Sequence, residues 1–248
     1  MKKILLILSV LIISLYGNKV NIRTYIPKNA HLYFTDVLIA NLELMPDNIV
    51  TPYLGSLIEQ ETCISLTSRG CWNPRTGFRT RREEGEGLGQ LTRVFTRNGK
   101  VRWDMLKSLK ERYPTILKNL NWNNIKYKPK LQIKALILLW HSDFDYYKNS
   151  VDPDSRLWFA DSAYNGGFKW LNRERRLCKF TKNCNPKKWF GNVALIKSFR
   201  AKRKLYGNRS AWDINRQHVR NVRLRYEKYQ KLLFEKLLNG DSLNLIYK

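Results

Sequence analysis

Apolar positions along the 248-residue chain recur mostly at spacings of three and four, the period of a helix rather than a strand. The segment HLYFTDVLIANLELM, His31 to Met45, predicts a first helix. Thr51 and Pro52 look like an N-cap and first-position pair, opening a second helix through about Thr62. Residues 63–98 are rich in Gly, Arg and Glu and lack periodicity, so loops with short strands are expected. WDMLKSLKERY is expected to be helical, and LQIKALILLWHSDFDYY, after Pro129, is apolar around most of its circumference, which predicts a buried central helix. DPDSRLWFADSAYN begins on N-cap residues and stops at Gly166-Gly167. Val219, Val222, Tyr226, Tyr229 and Leu233 form one stripe on a long C-terminal helix. With no internal repeat and no clear linker, the pattern predicts a mainly α domain, with a helical extension at residues 19–50 ahead of a body at 51–248.

The N-terminus alters the expected compartment. Lys2 and Lys3 precede ILLILSVLIISLY, an apolar run close to the length of a signal-peptide core and short of the ~20 residues a membrane-spanning helix needs. Residues 1–18 are therefore expected to be a signal peptide or a membrane anchor, placing the protein in the periplasm or cell envelope. Export makes disulfides the natural use of the four cysteines. Cys63–Cys71 and Cys178–Cys184 are the simplest of three connectivities. Neither pair has the tight spacing of a zinc site, and His31, His141 and His218 are scattered, so no metal or cofactor is expected. A formal charge of +26 calls for an anionic partner, either nucleic acid or an anionic envelope surface, and charge alone does not choose.

Candidate chemistry concentrates in SLIEQETCISLTSRGCWNPRTGFRTRREEGEGLGQLT, Ser56 to Thr92. On a helix, Leu54, Leu57, Ile58 and Glu61 share one face, whereas Glu59 falls on the other side and is expected to meet solvent. A carboxyl among apolar neighbours resists ionisation and can donate a proton to a leaving oxygen, which singles out Glu61. Downstream, Gly85, Gly87 and Gly89 would let backbone approach a ligand, and Gln90 offers an amide to sugar hydroxyl or acetamido groups. The segment SAYNGG, Ser162 to Gly167, puts Tyr164 and Asn165 at a helix end, able to direct polar tips into a cleft.

Together, Glu61-Thr62 ending a helix, Gly87-Leu88-Gly89-Gln90 and Ala163-Tyr164-Asn165-Gly166-Gly167 resemble the soluble lytic transglycosylase family, glycoside hydrolase family 23 of the lysozyme-like superfamily, in the style of its phage-related members. The C-terminal INRQHVRNVRLRYEKYQ is similar to that domain's closing helix, so the likeness runs from about Tyr53 to about Leu233. Thr62 stands where the family commonly has Ser, and Gly89 where it commonly has Met. The resemblance implies a lysozyme-like (goose-type lysozyme or transglycosylase) helical domain over 51–248, with loops or a small β element next to the active site. It implies cleavage of the β-1,4 bond between N-acetylmuramic acid and N-acetylglucosamine in peptidoglycan, leaving 1,6-anhydromuramoyl ends. Glu61 would be the single acid/base, Tyr164 would position it or the substrate, and Gln90 with the Gly87–Gly89 backbone, joined by Asn165, would hold the saccharide.

Two other readings compete. An inverting muramidase needs a second carboxylate ~6.5–9.5 Å from the acid, and Glu86, just before the glycine turn, is the candidate. Glu83 and Glu84 are expected instead to pair with Arg79, Arg81 and Arg82. A nucleic-acid-binding protein would suit the basic, aromatic C-terminal region, but the leader and cysteines favour glycan strands and an anionic envelope surface as partners. A monomer is expected.

Overall fold

The computed structural model describes residues 20–238. It is mainly α: seven α-helices accompany a small four-stranded antiparallel sheet and a two-stranded hairpin. The expected leader at residues 1–18 lies outside the described residues. Among the described residues no helix is long and apolar enough to cross a membrane. Both expected disulfides, Cys63–Cys71 and Cys178–Cys184, are formed, which suits an oxidising environment. Among the described residues contacts cluster into two units, one of residues 139–221 and one of residues 20–138 together with 222–238.

In the second of these units, α1 (Lys28–Leu44) buries Ala30, Phe34, Val37, Leu38 and Asn41, one face at helical spacing. Asn41 is fully buried and ties the following turn: its amide donates to Asn48 O at 2.9 Å, and its Oδ1 accepts from Val50 N (2.8 Å) and the Thr51 hydroxyl (2.9 Å). Thr51 is thus not the N-cap. It is the first residue of α2 (Thr51–Thr62), with Pro52 beside it, and its hydroxyl is spent on Asn41. Every residue of α2 from Thr51 to Glu59 is buried. Gly55 is what lets its neighbours so close, since a Cβ there would lie 2.8 Å from both Phe34 and Tyr229.

The glycine-rich region forms an antiparallel meander, β1 (Gly77–Arg79), β2 (Glu83–Glu86), β3 (Leu91–Phe95) and β4 (Val101–Asp104), in that spatial order. Glu84 stands opposite Arg79 on one side and Arg93 on the other, and pairs with both. Asp104 ends β4 and caps α3 (Met105–Arg112) by accepting from Lys107 N, so that helix starts two residues into the expected segment. The helix α4 (Pro129–Tyr146) follows, and the boundary between the units falls within it.

The other unit contains α5 (Pro153–Gly166), capped by Asp152 and ended at Gly167, whose φ of +82° suits glycine. Next comes α6 (Phe168–Lys179), which the apolar pattern did not announce. Its buried stripe is only Leu171, Glu174 and Cys178, and one of those is an acid. The Glu174 carboxylate is satisfied inside by Arg216 (2.6 Å) and the Ser198 hydroxyl (2.7 Å). A hairpin of β5 (Lys204–Tyr206) and β6 (Arg209–Ser210) leads into α7 (Ala211–Leu238). Along α7, Val219, Val222 and Tyr229 of the expected stripe are buried; Tyr226 and Leu233 are half-buried, and Leu232 is buried next to the latter.

Candidate functional site

Glu61 lies in the last turn of α2, half-buried, on the face of the fully buried Leu54, Leu57 and Ile58. The chain turns back at once. The Thr62 hydroxyl donates to Ile58 O (2.7 Å) and accepts from Trp72 N (2.9 Å), while the Cys63–Cys71 disulfide closes the loop between them. Gly70 O then accepts from the Thr76 hydroxyl at 2.7 Å, and Thr76 O accepts both Gly87 N (2.8 Å) and the Gln90 amide Nε2 (3.2 Å). A short ladder of hydrogen bonds thus runs from the residue after Glu61 to the glycine turn.

The turn is held from behind. Gln132, on α4 and 1% exposed, accepts from Leu88 N at 2.8 Å and donates to Pro74 O and Ile125 O. No pattern in the sequence marks Gln132, because a single amide on an apolar helix carries no periodic signal. The glycines answer to this packing. A Cβ on Gly87 would sit 2.5 Å from the Gln132 amide, one on Gly89 would sit 2.9 Å from Leu136 Cβ, and one on Gly85 would strike Phe78 at 2.4 Å. In each case the space a side chain would take is filled by protein. Leu136 fills the space a longer side chain at position 89 would need.

Gln90 adopts φ +44° and donates Nε2 to Gly87 O (2.7 Å) as well as Thr76 O, so its remaining polar atom, Oε1, is what it offers outward, an acceptor and not a donor. Glu86 is held mostly inside, with its side chain 17% exposed. One oxygen pairs with Lys126 at 3.3 Å, and the other is buried without a hydrogen-bond partner. Glu84 is the buried, doubly paired glutamate, taking Arg79 and Arg93; Arg81 and Arg82 are exposed.

Glu59 overturns the sequence expectation. It does not meet solvent: its exposure is zero, and its carboxylate accepts from Arg225 Nε (2.7 Å), Lys228 Nζ (2.9 Å) and the Tyr229 hydroxyl (2.7 Å). The helix face opposite the leucines is covered by α7, and the polar residues there mark a charged contact instead of water. Burial, then the Glu59 charge, pushes the Tyr229 hydroxyl well above its ordinary range, while burial lowers Lys228 against the opposing pull of Glu59. Tyr229 also accepts from Trp72 Nε1 at 2.7 Å. Trp72 is consequently fixed twice, by its backbone to Thr62 and by its indole to the Glu59 cluster.

In the other unit, Tyr164 is half-buried in the last turn of α5, and Asn165 is exposed with its Oδ1 accepting from Asn215 Nδ2 (3.2 Å). Asn215, buried on α7, also holds Ser162 through both its hydroxyl and its carbonyl. Gly166 is required by the same packing, a Cβ there falling 2.6 Å from Asn215 Nδ2. Among the described residues, no group of three or more His, Cys, Asp or Glu that could hold a metal ion is found. No protein-family model matches the chain, and no curated protein matches it.

Proposed function

We propose that the protein is a peptidoglycan lytic transglycosylase of lysozyme-like fold, with Glu61 as its single acid/base. The observation that carries the reading is the hydrogen-bond ladder from Thr62 through Trp72, Gly70 and Thr76 to Gly87 and Gln90. It binds together the two segments, one bearing an acid and one bearing an outward acceptor, whose pairing the sequence motifs suggest. In this reading the protonated Glu61 gives its proton to the glycosidic oxygen as the bond to muramoyl C1 breaks. The acetamido oxygen or the 6-hydroxyl of the same sugar then supplies the displacing atom. The carboxylate takes the hydroxyl proton as the 1,6-anhydro ring closes, so no water and no second carboxylate enter. Gln90 Oε1 would accept from a sugar hydroxyl or acetamido N–H. The reading also includes the anionic cell envelope as surroundings and export as the route to it.

The ion pair of Glu86 with Lys126 supports a single-acid mechanism over a muramidase, because a carboxylate tied to a lysine and largely enclosed is poorly disposed to activate water. Digesting purified peptidoglycan and reading the products by mass spectrometry tests this. Anhydro ends are expected from wild type and from Glu86→Gln, and no products from a folded Glu61→Gln. Tyr164→Phe is expected to lower turnover. Reducing ends abolished by Glu86→Gln would mean a muramidase, and clearance by Glu61→Gln at the wild-type rate would end the proposal.

A further inference from the structure

Helix α6 turns Leu171, Glu174 and Cys178 inward. On its opposite face Lys169, Arg173 and Arg176 follow one another at spacings of four and three, and Phe180 continues the line just past the helix end. All four are exposed, Phe180 by 90%, and Leu177 beside them by 41%. Among the described residues no acid pairs with Lys169, Arg173, Arg176 or Lys179; the acid of this helix, Glu174, is buried against Arg216. Arg173 lies over the ring of Trp170, which fixes its direction.

Phe180 is held in water by a built turn. Phe180 N donates to Leu177 O (3.1 Å), Thr181 N to Cys178 O (3.0 Å) and the Thr181 hydroxyl to Leu177 O (3.0 Å), and the Cys178–Cys184 disulfide closes the turn six residues on. A large apolar ring fixed at the end of a cationic face, with its ordering already complete, suits an interface that is anionic at the surface and apolar beneath. A nucleic acid would instead ask for aromatic faces laid along a groove for bases to stack on.

We propose that this face docks on an anionic lipid bilayer, with Lys169, Arg173, Arg176 and Lys179 meeting headgroup phosphates and Phe180 entering the acyl boundary beside Leu177. The proposal is independent of the bond the protein cuts. It is tested by flotation of the full chain with phosphatidylcholine vesicles and with mixed phosphatidylcholine–phosphatidylglycerol vesicles. The readout is the excess partition onto the anionic vesicles, which an apolar N-terminal segment does not create. At about fivefold per cation, the K169Q/R173Q/R176Q variant should lose about 100-fold of that excess. F180S, with charge unchanged, should keep that excess but lose about tenfold in partition onto the anionic vesicles themselves. Every substituted side chain is exposed, so near-UV circular dichroism should be unaltered. Equal partition onto both vesicle types, or F180S partitioning like wild type, overturns the proposal. So does a duplex DNA oligonucleotide whose binding falls in the triple variant while vesicle binding does not.

Discussion

Removing the Glu59 carboxylate would take a buried counter-charge away from both Arg225 and Lys228, whose side chains are 8% and 2% exposed. Breaking a buried pair in this way costs about 3–5 kcal/mol, far more than the pair contributes over an apolar substitute. Glu59→Ala is therefore expected to lower the unfolding free energy by that amount, read as a lower denaturation midpoint, and Lys228→Met in the same background should recover part of it by removing one buried cation. If Glu59→Ala unfolds at the wild-type denaturant concentration, the Glu59 cluster does not stabilise the fold. The same residue shows what a helical wheel can and cannot reveal. The leucine face of α2, and Glu61 on it, follow from local spacing. What covers the other face comes from a helix some 170 residues further on, and no local period carries that information. An acid opposite a leucine stripe reads as solvent-facing until its cationic partners are placed.

At the scale of elements, α7 begins with a reciprocal cap. Ser210 N and its hydroxyl both donate to Asp213 Oδ2 at 2.7 Å, and Asp213 N donates back to the Ser210 hydroxyl at 3.1 Å. These bonds, with Lys204 nearby, push the Asp213 carboxyl down to about 2 from its ordinary value of 3.8. A carboxyl depressed in the folded state stabilises it above the unfolded pKa, and that contribution disappears as pH falls through about 2. Asp213→Ala should thus cost about 1 kcal/mol at pH near 6 and progressively less below pH about 4, measured as the gap between wild-type and variant thermal midpoints. A gap that stays constant on acidification would show the cap to be independent of charge. Elements with a clear apolar pattern, such as α1 and α4, were legible from the chain, and α5 was legible from its N-cap residues and glycine stop. The short strands were legible only as a loss of period. Helix α6 was not, because its inward stripe contains Glu174, whose partners Arg216 and Ser198 come from distant segments.

For the whole molecule, 46 Lys and Arg against 20 Asp and Glu make self-repulsion a standing cost of the folded state. Salt should act on this charge in two opposite senses. Added monovalent salt screens exposed cations once the Debye length falls from about 10 Å at 0.1 M toward about 3 Å at 1 M, but screens buried pairs far less. Two of the attractive pairs, Glu59 with Arg225 and Glu174 with Arg216, are buried and so keep most of their attraction while the surface repulsion fades. Folded stability is expected to rise with salt by about 1 kcal/mol, or roughly 2–4 °C in thermal midpoint for a chain of this size. The proposed association with an anionic wall or bilayer would draw on the exposed cations and should weaken over the same range. Calorimetry and sedimentation with purified sacculi, run on the same salt series, measure both. A midpoint that falls with salt would mean that ion pairs within reach of solvent, such as the exposed Lys107–Glu111 and the partly exposed Lys130–Asp36, outweigh the repulsion, and the excess charge would then have to be balanced within the fold rather than by a partner.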